Sequence, residues 1–306
     1  MRRRRIERSV VEIKRLRSMS DKLKNLVVRT LSGAVLLGVV LAAALLGKYA
    51  YGALLLVIVS VGLAEFYRLA KASGAQPQVN MGTFAGVILF CTSFHIFEQL
   101  YDGYPLSMEL IVGLLLSLLL YLFLIFVVEV FRAKEHPLRN VAVTIMSLIY
   151  VSLPMSLMLF IPLMLGGGVW RAEAFLFYLF IVWGNDVFAY LVGVSIGRHR
   201  MCERISPKKS WEGFVGGVLG AMAMGALGNV VVGGGYALWL GLAAIVAISS
   251  VLGDLVESMF KREAGVKDSG NIMPGHGGIL DRFDALLVSI PFAFIYLMIV
   301  RMFDLF

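Results

Sequence analysis

The residues able to do chemistry are gathered between positions 183 and 285, in four stretches. WGNDVFAYLVG sets Asn185 and Asp186 inside an apolar run. RHRMCERISPKKSWEG carries Ser206, Lys208 and Lys209. SSVLGDLVESMFKREAGVKD puts Asp254, Glu257 and Ser258 at i, i+3 and i+4, one face of a helix, and then supplies Lys261, Arg262, Lys267 and Asp268. KDSGNIMPGHGGILDRFDA adds His276, Gly277 and Gly278, followed by Asp281, Arg282 and Asp284. Carboxylates hold Mg²⁺, Mg²⁺ holds phosphates, and basic side chains take up the remaining phosphate charge. The set suits a nucleoside triphosphate and an anionic lipid meeting at a membrane face. No G-x-x-x-x-G-K-[ST] loop is present, so a P-loop NTPase is unsupported.

Each cluster also has a plainer reading. A carboxylate as deep in a span as Asp186 costs about 3 kcal/mol on insertion scales, so it implies either a wet functional cavity or a structural pairing with a basic residue. Ser206 followed by Pro207 reads as a cap-then-proline start to a helical turn. Lys208 and Lys209 beside that start form an anion site, or else simply mark topology. The glycine loop can wrap N–H groups around phosphate. Asp281 and Asp284 open the last helix, where acids also stabilise a helix N-terminus.

These residues need a frame, and the composition says what kind. The 306 residues are 59% hydrophobic and 16% charged, against about half and a quarter in soluble domains. Long apolar runs recur throughout without the alternation of barrel strands, so the fold class is all-α and polytopic in a membrane. About nine spans are expected, near 28–47, 49–66, 81–98, 110–131, 141–164, 174–196, 212–232, 236–258 and 285–303. The tight break at Gly47-Lys48 also allows the first pair to be a re-entrant hairpin. Of the 28 Lys and Arg, all but Lys48, Arg171 and Arg301 fall on the N-terminal side of this topology, which that asymmetry assigns to the cytoplasm. The net charge of +8 is therefore a topology signal, and no nucleic-acid partner is implied.

Residues 1–25 read as a basic cytoplasmic segment, either an amphipathic surface helix or disordered. Residues 26–170 read as a transmembrane scaffold and 171–306 as the catalytic region. Within the scaffold, Glu65 and Glu129 lie near span ends, where the interface can hydrate them. Glycines in WEGFVGGVLGAMAMGALG follow small-xxx-small spacing and predict close helix packing. Cys91 and Cys202 lie in different compartments and in no metal spacing.

The run from Ser258 through Phe260-Lys261-Arg262 and Lys267-Asp268 to His276-Gly277-Gly278-Ile279 and Asp281-Arg282-Phe283-Asp284 resembles the pattern of phosphatidate cytidylyltransferases (CDP-diacylglycerol synthases). Met273 stands where that pattern prefers Leu, Ile or Phe. SPKKSWEG and NDVFAY are also similar to blocks of this family, so the resemblance covers 183–285 well and the first 180 residues only as hydrophobic spans. It implies transfer from CTP to phosphatidate, giving CDP-diacylglycerol and pyrophosphate in phospholipid biosynthesis. It further implies Mg²⁺, which a second cation could accompany, in a bacterial cytoplasmic membrane with the site facing the cytoplasm. On this reading Asp254 and Asp281 are the metal ligands. Asp186, Lys209 and Asp284 join them as catalytic residues. Asn185, Ser206, Lys208, Ser258, Lys261, Arg262, Lys267, Asp268, His276, Gly277, Gly278 and Arg282 bind substrate. A homodimer is compatible with the sequence. Two other readings stand beside this one: a CTP-dependent polyprenol or phytol kinase, which moves the γ-phosphoryl, and a membrane transporter. The transporter expects polar sites in both halves, whereas here they crowd one half and one face.

Overall fold

The computed structural model describes residues 27–303 apart from 29, 106 and 276, so the N-terminal segment 1–25 and His276 lie outside the described residues. Among the described residues eight helices are long and apolar enough to cross a membrane. They are α2 (Lys48–Ala72), α3 (Val79–Tyr101), α4 (Met108–Arg132), α5 (Pro137–Leu165), α6 (Ala172–Ile196), α7 (Trp211–Val232), α8 (Tyr236–Glu263) and α9 (Leu280–Met302), preceded by a shorter apolar helix α1 (Thr30–Leu45). The chain is thus an all-α, multi-pass membrane protein. The first of the nine expected spans, 28–47, corresponds to α1, and Gly47, at φ 91°, separates it from α2.

Consecutive helices run in opposite directions, as the contacts at their ends show. On one face Arg139 donates to the Ser73 carbonyl at 2.7 Å and pairs with Glu263 at 3.1 Å, joining the ends of α2, α5 and α8. On the opposite face Lys48 pairs with Asp102 at 2.6 Å, and Arg171 donates to the Val232 carbonyl at 2.8 Å. α5 is the most enclosed span, 72% buried over its apolar window against 11% for α4, whose leucines and phenylalanines point outward. α5 contains a π-helical segment, Leu148–Ser152. Pro154 lacks the N–H that the carbonyl four residues earlier would accept, and the wider turn absorbs that mismatch.

Two small-residue seams decide how the functional half packs. A Cβ on Gly217 would lie 2.6 Å from Asn185 Oδ1, and one on Gly213 2.7 Å from the Ala189 carbonyl, so α7 can lie this close to α6 only with glycine there. On the next face of α7, a Cβ on Gly225 would lie 2.7 Å from the Trp239 carbonyl of α8.

Two sequence expectations are corrected here. Ser206-Pro207 does not start a helical turn. It opens strand β2 (Ser206–Ser210), paired antiparallel with β1 (Arg200–Cys202), and the cap of α7 is Ser210, whose Oγ accepts from Gly213 N at 3.2 Å. Glu212 secures the base of this hairpin, accepting from Arg198 N at 3.1 Å and His199 N at 3.2 Å. Glu65 and Glu129 are not hydrated at the interface, being 0% and 5% exposed. Glu129 is satisfied inside the protein by Arg132 at 2.6 Å, Gln78 at 2.8 Å and Asn140 at 2.9 Å.

Candidate active site

A cavity of about 690 Å³ opens at the hairpin face between α6, the hairpin, α7, α8 and α9. α6 contributes Asn185 and Asp186, the hairpin Ser206, Lys208 and Lys209, α8 Asp254, and α9 Asp281 and Asp284. Residues up to a hundred positions apart therefore line one space. Asn185 is fully buried, with neither amide atom hydrogen-bonded among the described residues. Buried amides are ordinarily hydrogen-bonded, so an unpaired one beside the cavity stands out.

The charges are interlocked. Lys209 Nζ lies 2.5 Å from Asp254 Oδ2 and donates to the Val251 carbonyl at 3.3 Å. Ser258 Oγ, one turn along α8, is 3.5 Å from the other Asp254 oxygen. Lys261 bridges Glu257 at 2.5 Å and Asp281 at 2.7 Å. Asp254, Glu257 and Asp284 each offer an oxygen within 4.8 Å of the others. Glu257 was visible in the sequence only as the i+3 neighbour of Asp254 and was not singled out. Its burial at 0% exposure marks it now, because the four carboxylates Asp254, Glu257, Asp281 and Asp284 have only Lys209 and Lys261 paired with them among the described residues. Asp254, Glu257 and Asp284 all offer hard oxygen donors, the ligand type that Mg²⁺ takes.

Asp281 lines the cavity but is fully engaged elsewhere. Its Oδ1 holds Lys261, and its Oδ2 accepts from Ser269 N at 2.8 Å, Ser269 Oγ at 2.8 Å and Gly278 N at 2.7 Å. Among the described residues, Gly277 and Gly278 do not present their N–H groups to the cavity as expected. Gly277 N instead donates to the Met273 carbonyl at 3.2 Å in a tight turn, with Gly275 at φ 75° and Gly277 at φ 84°. Four other candidates stand outside the cavity. Arg262 donates to the Ile205 carbonyl at 2.6 Å and so ties α8 to the hairpin turn. Lys267 and Asp268 are exposed on the loop, and Arg282 lies on the far side of α9, against a separate apolar cavity.

A sequence profile described as the cytidylyltransferase family matches residues 27–300. The chain belongs to the cytidylyltransferase family. Among its relatives, a Synechocystis protein named phosphatidate cytidylyltransferase is 30% identical over 302 residues, 89% of this chain and 96% of that one. A Haemophilus influenzae protein of the same name is 44% identical over 124 residues, 38% of this chain and 43% of its own length. One from Staphylococcus saprophyticus is 48% identical over 118 residues, 38% of this chain and 45% of its own. The matched stretches thus span less than half of the last two relatives. In this cytidylyltransferase-family chain, one cavity unites lysines, carboxylates and a buried amide.

Proposed function

We infer that the chain is a phosphatidate cytidylyltransferase, an enzyme that joins CTP and phosphatidate to give CDP-diacylglycerol and pyrophosphate. The observation that carries this reading is the cavity itself: Lys208 and Lys209 line one space with Asp186, Asp254 and Asp284 at the membrane end. Lys208 and Lys209 bind the triphosphate. A phosphatidate oxygen attacks the α-phosphorus of CTP, a new P–O bond forms, and the bond to the β-phosphate oxygen breaks, with its electrons leaving on pyrophosphate. That oxygen is already anionic at neutral pH, so no Ser or Cys nucleophile is required. What the residues supply is alignment and charge compensation. Tyr190 and Val194 line the cavity yet are 69% and 71% exposed on α6, which supports a lipid arriving sideways with its tails still in the bilayer.

Asp254, Glu257 and Asp284 would hold Mg²⁺, with Asp281 and Lys261 fixing their surroundings. This moves the cation from the pair Asp254 and Asp281, because both oxygens of Asp281 are committed to Lys261 and the loop. When bound, Mg²⁺ offsets phosphate charge as a Lewis acid. The site faces the cytoplasm of a bacterial inner membrane, in keeping with the basic loops on that face.

The test is label transfer by purified protein in phosphatidate vesicles. Label from α-phosphate-labelled CTP should enter the organic phase, and γ-label should leave as pyrophosphate. A γ-label recovered in the lipid would instead identify a lipid kinase.

Two further outcomes are expected. Lys209→Ala should raise the KM for CTP by about tenfold, since a hydrogen bond between charged groups contributes about 1.5–3 kcal/mol, while leaving insertion and melting temperature unchanged. Kinetics equal to wild type would reduce this lysine to a topology marker. Cys202, half-buried in the hairpin, should react with a membrane-impermeant thiol reagent only when the cytoplasmic face is opened. Labelling in sealed cells from outside would reverse the orientation.

A further inference from the structure

α2 belongs to the N-terminal half, far in sequence from the cavity, yet one of its residues reaches the loop that carries Asp281. Glu65 is completely enclosed. Its Oε2 accepts from Leu280 N at 2.9 Å and lies 3.3 Å from Ser269 Oγ. Its Oε1 has no hydrogen-bond partner among the described residues, and the Arg68 guanidinium is 3.8 Å away. Two loop glycines rest on the carboxylate, and a Cβ on Gly278 would come within 2.6 Å of Oε1.

Leu280 is the first residue of α9, where backbone N–H groups have no intrahelical acceptor and the helix dipole is positive. The side chain that meets this end is not local. It comes from a different helix, and the same hydroxyl it touches, Ser269 Oγ, is the one that Asp281 Oδ2 accepts from at 2.8 Å. Asp281 in turn fixes Lys261, which fixes Glu257. The contacts form one line from Glu65 through Ser269, Asp281 and Lys261 to Glu257.

We propose that Glu65 is a positioning residue for the reaction: it seats the start of α9 and the loop at Ser269 and Gly278 so that Asp284 reaches Asp254 and Glu257 on α8. The proposal rests on the assignment of those three acids to the reaction. It gives the N-terminal helices a part in the chemistry beyond that of a lipid-facing support, and it explains why a carboxylate is buried here with Arg68 no closer than 3.8 Å.

The experiment uses the full-length protein in phosphatidate vesicles and reads kcat, the KM for CTP, and the rate of trypsin cleavage after Lys267 relative to Lys134. Glu65→Ala should lower kcat by about ten- to a hundredfold, the effect of a small misplacement away from the chemistry, with less change in KM. It should also speed cleavage at Lys267 while leaving Lys134 unchanged. Glu65→Gln keeps an oxygen for Leu280 N and should restore most of kcat. If Glu65→Ala does not fold, Ser269→Ala carries the test, with a lower kcat and faster cleavage at Lys267 expected. Wild-type kcat and loop cleavage in either folded variant overturns the proposal. So does a loss of activity matched by a loss of folded protein, with the surviving fraction turning over normally and Glu65→Gln no better. If the wild type itself forms no CDP-lipid, the functional reading fails instead, and the Lys267 cleavage rate still judges the seating of the loop.

Discussion

Asp254→Asn is expected to abolish CDP-diacylglycerol formation almost completely while leaving the fold intact. Asp254 meets the two halves of the site, with Lys209 at 2.5 Å on one side and Glu257 and Asp284 on the other. Asparagine keeps the shape and polarity but removes the charge that attracts both the lysine and a cation. Metal-assisted charge stabilisation is worth several kcal/mol, and each 1.4 kcal/mol is tenfold, so turnover should fall on the order of a thousandfold. Stability should not follow, because the change also relieves repulsion among three carboxylates. Initial rates across a Mg²⁺ titration, together with a melting curve in detergent, check both halves. Raising Mg²⁺ should recover little, since one donor of the trio is gone. Near-normal turnover by Asp254→Asn would remove the trio from the mechanism.

The second large effect has a different signature. Asp281→Asn is expected to lose turnover about a hundredfold or more and to lower the melting temperature by several degrees. Asp281 uses its two oxygens for two tasks, Oδ1 for Lys261 and Oδ2 for Ser269 and Gly278. Asparagine has one acceptor oxygen, so its amide N–H₂ must face either an ammonium or the loop N–H groups. Breaking a buried pair costs about 3–5 kcal/mol when a charge is stranded. Here Lys261 keeps Glu257 at 2.5 Å, which places the loss at or below the lower end. The Asp281–Lys261 pair is largely enclosed, with the two side chains 6% and 16% exposed. The sequence alone suggested equal behaviour for the two aspartates. The structure separates them: Asp254 should lose activity alone, and Asp281 activity and stability together. The control is Glu263→Gln, an exposed partner of Arg139 outside the cavity, which should be nearly silent. A normal melting curve and normal activity for Asp281→Asn would make its hydrogen bonds incidental.

Much of the functional half was legible because its signals are local. An aspartate inside an apolar run, as at Asp186, is costly wherever the chain goes, so it announces itself without a structure. The i, i+3 spacing of Asp254 and Glu257 follows from the helical period alone. The glycine spacing of α7 likewise anticipated its close approach to α6. Where the reading went astray, the deciding partner was distant or the local pattern had two solutions. Ser206-Pro207 suits a helix start, yet β1 pairs with that segment and moves the cap to Ser210.

By itself the sequence determined an all-α membrane protein, the basic face of its topology and the four polar stretches from which the site is built, because hydropathy, charge bias and residue spacing act over a turn or a span. Tertiary structure alone decided which carboxylates meet. Asp284 joins Asp254 and Glu257, Asp281 is taken by Lys261 and the loop, and Glu65 is enclosed against Leu280, 215 residues away. The physical reason is that a carboxylate's role depends on what replaces its water, and in a helical bundle the replacement comes from whichever helix packs alongside.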